Sequence, residues 1–145
     1  MNLSDMQTEW RKDSVINAGN LAHESLRTAI LHSKYIDMFV SAKKLLSDYR
    51  KEYNEERKIM AKYYRGEFTK EELAERNLEQ YQYAKPLKAE MEDILKSDSF
   101  IVTKYERVEY LETTIEFLES VLSQIKSRDF QIKNSIQISI FMNGG

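Results

Sequence analysis

Residues 108–125 read VEYLETTIEFLESVLSQI, with apolar side chains at Val108, Leu111, Ile115, Leu118, Leu122 and Ile125. Steps of three and four residues mark one face of a helix, where a strand would alternate. After a polar step at Asp129 the register resumes at Ile132 and Ile136. A seam sustained this far is a coiled-coil signal. Phe117 and Val121 add a second apolar line. A helix with two such lines touches two neighbours at once, as in bundles and helical barrels; a two-stranded coil fits the pattern equally well. We expect this helix over 100–140, with the eight seam residues joining copies of the chain. The tail 136–141 also alternates with period two, so it reads as an edge strand or as more helix. Residues 142–145 show no clear structure.

Upstream the chain is also written for helices. Its 145 residues match one domain, with 4 glycines, 1 proline and 32% charged residues. So few turn formers exclude a sandwich or barrel, and the fold expected over 1–145 is all-α. Ser4 with Gln7 makes a capping pattern for a short helix over 5–13, and Asn17, Gly19 and Asn20 break it. No Pro or Gly occurs from Leu21 to Arg65, so a long helix is expected over 20–65. Its apolar line runs through Ala29, Ile36, Phe39, Leu46, Tyr53, Met60 and Tyr64, interrupted by His32, Lys43, Arg50 and Arg57. Gly66 is placed to end it, and Thr69 with Glu72 to cap a following Glu-, Gln- and Leu-rich helix. Pro86 forces a break, a short helix follows over 87–96, and Ser97-Asp98-Ser99 is cap-like.

Catalytic and metal chemistry find little to work with. There is no cysteine, so no disulfide, thiolate site or cysteine nucleophile. The two histidines, His23 and His32, are nine apart, and neither joins a metal-binding or di-iron motif. No glycine-rich phosphate loop exists. We expect a protein that is not an enzyme, with no cofactor and no metal. No apolar run approaches a membrane span and the N-terminus is not signal-like, so the expected location is cytoplasmic, with no membrane partner.

The net charge of −2 hides a segregation. Residues 43–70 carry nine basic and five acidic side chains, residues 71–120 six and thirteen, and residues 121–145 three and one. A ligand meets the local field, whatever the total. Within the first basic segment, Arg57, Lys58, Lys62 and Arg65 stand with Tyr63 and Tyr64, without an acid. Cations that track phosphates and rings that stack bases are what single-stranded nucleic acid requires. The plain alternative is a helix C-terminus whose cations suit the dipole and whose tyrosines pack inward. The second basic run holds Lys126, Arg128 and Lys133, where a solvated helix flank is the plain alternative.

Several stretches together resemble the UvsY recombination-mediator family of T-even-like phages. The tightest is Ile125-Lys126-Ser127-Arg128 with Phe130 and Ile132-Lys133; upstream lie Lys12-Asp13, Ser33-Lys34, Lys43-Lys44, Lys58, Tyr63-Tyr64 and Gly66. Residues 70–90 align poorly. The family's DNA-binding box reads Leu-Lys-Ala-Arg-Leu-Asp-Tyr-Tyr, and the matching stretch is Arg57-Lys58-Ile59-Met60-Ala61-Lys62-Tyr63-Tyr64, with Met60 at the arginine position. The resemblance implies a non-catalytic mediator of DNA recombination and repair in the host cytoplasm. It implies that the protein binds single-stranded DNA and loads a RecA-like phage recombinase in place of the phage single-stranded DNA-binding protein. It also implies a ring-shaped homo-oligomer, a heptamer in the best-known case. The competing reading is a coiled-coil structural or adaptor protein that binds only protein.

Overall fold

The structure, a computed structural model, describes residues 1–144; Gly145, the end of the tail without clear sequence signals, lies outside the described residues. All regular structure among them is helical: α1 (Leu3–Asp13), a 3-10 turn (Ala18–Asn20), α2 (Leu21–Tyr64), α3 (Lys70–Glu75), α4 (Lys88–Ser97) and α5 (Ser99–Met142). The all-α expectation holds. The ambiguous tail 136–141 is the continued helix.

The helix ends follow side-chain chemistry. α1 starts two residues before the expected place, because Asn2 caps it: the Asp5 amide donates to Asn2 Oδ1 at 2.8 Å and the Asn2 amide to Asp5 at 3.4 Å. Gly66 ends α2 as anticipated, with φ +75°; its amide donates to the Tyr63 carbonyl and that of Glu67 to the Lys62 carbonyl. Thr69 and Glu72 cap α3 reciprocally. That helix is only six residues long. Asn77, at φ +54°, ends it while the Leu78 amide reaches back to the Leu73 carbonyl, so residues 78–87 are irregular where a longer helix was expected. Asp98 opens α5 by accepting from the amides of Phe100 and Ile101 at 2.9 and 3.1 Å.

The chain divides into two compact units, each containing part of α2 and part of α5. The first comprises residues 1–43 and 113–145. Its core is built from Leu31, Tyr35 and Ala42 of α2 and from Ile115, Leu118, Val121, Ile125 and Ile132 of α5, all buried. α1 closes over α2: Trp10 sets its ring edge against Tyr35, centroids 5.3 Å apart, and Lys34 bridges Glu9 and Asp13 at 2.7 Å each.

The second unit comprises residues 44–112. Here α2 and α5 run antiparallel, with Arg50 paired to Glu112 and Glu52 to Lys104 and Arg107. Met60, Phe68, Leu95 and Ile101 form its core, and Tyr63, Tyr64, Leu78 and Phe100 pack around it.

The buried line of α2 is Glu24, Leu31, Tyr35, Ala42, Leu46, Glu56 and Met60, so of the line expected from the sequence only Leu46 and Met60 are fully buried. Two carboxylates and a small alanine occupy the true face, which hides it from a count of apolar residues.

Candidate nucleic-acid interface

The basic box lies on the last turns of α2, inside the second unit. Three of its four cations already face carboxylates. Arg57 donates to Glu92 at 2.9 Å and to the Tyr53 hydroxyl at 3.2 Å; these bonds, the one to Tyr53 above all, raise the guanidinium pKa further. Lys62 Nζ lies 3.0 Å from Glu72, and Arg65 Nε 3.3 Å from Glu67. Pairs this open to water are weak, so a phosphate can compete for these cations. Lys58 is exposed, and no described carboxylate pairs with it. Met60, at the arginine position of the resembled box, is 1% exposed in the core and offers a ligand nothing.

The two tyrosines are half-buried and engaged. Tyr63 donates its hydroxyl to the Glu79 carbonyl at 2.8 Å, and Tyr64 to Asp98 at 2.7 Å. Burial raises the pKa of both phenols, and the Asp98 bond raises that of Tyr64 further, so both remain neutral donors. Their rings pack against one another and against Tyr81, while Tyr63 also meets Phe68. The packing alternative therefore describes most of their surface.

The second basic run lies in the first unit and divides. Lys126 and Lys133, seven residues apart on α5, are exposed and unpaired among the described residues. They line a groove of about 1200 Å³ together with Ser25, Thr28 and His32 of α2 and with Ile125 and Ile132 of α5. Asp129 also lines it. Arg128 is instead buried. It is 3% exposed, donates to the Glu24 carboxylate, and reaches the Glu24 carbonyl and Thr28 hydroxyl at 3.1 Å. Glu24 is 4% exposed and also bonds Arg27. Burial disfavours its charge, but the hydrogen bond and charge of Arg128, with Arg27 behind, hold its pKa below the usual value. Arg128 is thus an internal tie, unavailable to a phosphate, and its place among the DNA contacts is corrected.

The seam assigned to contacts between copies is also largely spent inside the chain. Val108, Leu111, Ile115, Leu118, Ile125 and Ile132 are buried by the chain's own residues. Leu122 is half-buried and Ile136 exposed. An a/d pattern reports that a helix has a partner, but not whose helix that partner is. Toward its C-terminus α5 leaves Phe130, Ile136, Ile138, Ile140, Phe141 and Met142 exposed, and further up Tyr105 and Tyr110. Sequence reasoning passed over Tyr81 and Tyr83, whose rings join the tyrosine cluster through a segment with no periodic signal.

Among the described residues no cluster of histidine and carboxylate side chains is arranged to hold a metal, and no helix is long and apolar enough to cross a membrane.

Comparison with known proteins finds matches along nearly the whole chain. A family model described as "Recombination, repair and ssDNA binding protein UvsY" matches residues 9–145. The recombination protein uvsY of Enterobacteria phage T4 is 27% identical over 144 residues, covering 99% of each chain. Two crystal structures of the bacteriophage T4 recombination mediator protein UvsY superpose with TM-scores of 0.84 and 0.83, at 26% and 28% identity. They cover 97% and 100% of this chain, and 99% of the T4 chain in each case. With its two long helices, its basic α2 terminus and a match along nearly every residue, the chain belongs to the UvsY recombination, repair and single-stranded-DNA-binding family.

Proposed function

We propose that the protein is a non-catalytic recombination mediator. It binds single-stranded DNA on exposed basic side chains and promotes loading of a RecA-like phage recombinase where the phage single-stranded DNA-binding protein would otherwise sit. The observation that carries the reading is Lys58. In a chain of this family, it is the box cation that stands in water without a carboxylate, while its neighbours are held by weak pairs. Lys126 and Lys133 offer a second basic edge, in the first unit. Arg57, Lys62 and Arg65 join the contact set when a phosphate displaces their partners.

One subunit presents few cations, so a homo-oligomer such as a heptameric ring supplies most of the affinity. Repeated sites on one strand add avidity of about 10²–10⁴-fold. The exposed apolar side chains of α5 are the surface for that assembly.

The test is salt dependence. Each phosphate contact to a single strand contributes a slope of about 0.7 in log affinity against log salt. Lys58→Ala combined with Lys62→Ala is expected to weaken binding to an oligonucleotide and flatten that slope, with helicity and native mass unchanged. An unchanged slope moves the contact to Lys126 and Lys133. The mediator role is read separately, from the rate at which a RecA-like recombinase begins ATP hydrolysis on a strand precoated with the single-stranded DNA-binding protein. A rate no faster with this protein than without it overturns that role.

A further inference from the structure

The first residues of the irregular segment, 78–81, are pinned in place. Leu78 packs against the core of the second unit, Tyr63 donates to the Glu79 carbonyl, and Gln80 Nε2 donates to the Gly66 carbonyl at 3.3 Å. What the segment carries is a run of rings. It begins at buried Phe68, passes to Tyr63 at 5.3 Å, to Tyr81 at 5.8 Å, and ends at Tyr83, 5.4 Å from Tyr81. Tyr64 buttresses Tyr81 edge-on at 5.1 Å. Tyr83 is 78% exposed. Lys85, two residues further on, is exposed and unpaired among the described residues.

A large ring backed by a second ring and open to water in front is a stacking surface whose ordering cost on binding is reduced. Flat π-faced ligands gain most from such a surface, and a cation beside it favours those attached to phosphate.

We propose that Tyr83, backed by Tyr81, stacks on an unpaired base of single-stranded DNA, with Lys85 meeting the adjoining phosphate. This inference rests on the single-stranded DNA reading above and adds a contact outside the basic box. Stacking is tolerant of sequence, because every base has a π-face, so the contact suits a protein that meets any strand.

The experiment compares the full-length protein with Tyr83→Ala and Tyr83→Phe, by fluorescence anisotropy, on an oligothymidylate and on an abasic strand of equal length. Tyr83→Ala is expected to lose about tenfold in affinity for the oligothymidylate, with an unchanged salt slope, while Tyr83→Phe retains wild-type affinity. On the abasic strand the wild type and Tyr83→Ala are expected to bind equally. In a Trp10→Phe background, the emission of Tyr83→Trp should be quenched by the oligothymidylate and not by the abasic strand. Equal binding of the wild type and Tyr83→Ala to the oligothymidylate overturns this contact and leaves the parent reading standing. A wild type that binds neither strand overturns both. A fall in native mass with Tyr83→Ala overturns it by assigning the ring to a contact between copies.

Discussion

Arg128 shows how a residue can carry the right charge and the wrong address. In the sequence it belongs to a basic run; in the fold its guanidinium is sealed against Glu24 and Thr28. Breaking a buried pair leaves one charge uncompensated and costs about 3–5 kcal/mol. Glu24→Gln is therefore expected to lower folding stability by that order, read from chemical denaturation. Arg128→Ala should do the same while leaving the salt slope of DNA binding at the wild-type value; a flatter slope would return Arg128 to the interface.

The same groups set an acid limit. In Asp13, burial works against the charge, but hydrogen bonds from Lys34 and Tyr35 outweigh it, and the carboxyl pKa is lowered, as it is in Glu24. A carboxylate whose pKa is lower folded than unfolded stabilises the fold above its unfolded value, and that contribution is lost as pH falls through the folded value. Stability should thus hold above the ordinary Asp and Glu values of 3.8 and 4.5 and decline progressively below them. Thermal melts between pH 7 and pH 2 check this, and Glu24→Gln should flatten the acid limb. Lys34 acts at the other end: burial opposes its charge, the Asp13 and Glu9 partners prevail, and its raised pKa keeps its contribution until strongly alkaline pH.

Among elements, the α2 terminus matters most, since the basic box and the tyrosine cluster both depend on where the helix stops. Gly66 makes that stop at φ +75°, a conformation costing other residues about 1–2 kcal/mol. A Cβ there would meet Gln80 Nε2 at an ordinary 3.4 Å, so the penalty is backbone strain, not a clash. Gly66→Ala is expected to lower stability by about that amount in chemical denaturation, with helix content near wild type. Gly66→Asn should recover part of the loss, because asparagine tolerates left-handed backbone better; equal stability of all three would refute the role of the stop.

Assembly belongs to the scale of the whole molecule. Phe130 and Phe141 are 67% and 80% exposed and, eleven residues apart on α5, share a face. Phe130→Asp with Phe141→Asp should reduce the native mass seen by light scattering while the circular dichroism stays helical. Leu118, fully buried, answers differently: Leu118→Ala is expected to cost about 2–5 kcal/mol of folding stability through the cavity it leaves. Should Leu118→Ala instead dissociate a fully stable chain, the seam would belong to the contact between copies.

Local chemistry made most of the helices legible. The stop at Gly66, the cap at Thr69 and the helix opening after Asp98 each rest on residues within four positions of each other, and the length of α2 on the absence of Pro and Gly from Leu21 to Arg65. The basic box was legible as a run of four cations without an acid; that Lys58 alone of the four has no carboxylate among the described residues came from the fold. What required the tertiary structure were relations between distant residues. Glu24 and Arg128 lie 104 positions apart, and neither side chain announces that it will neutralise the other. The α5 seam announces a helical partner, yet periodicity is identical for a partner in the same chain and one in another copy. The run of rings ending at Tyr83 has no period at all, since its members come from α2, the turn after it and an irregular segment. Only long-range packing brings them together.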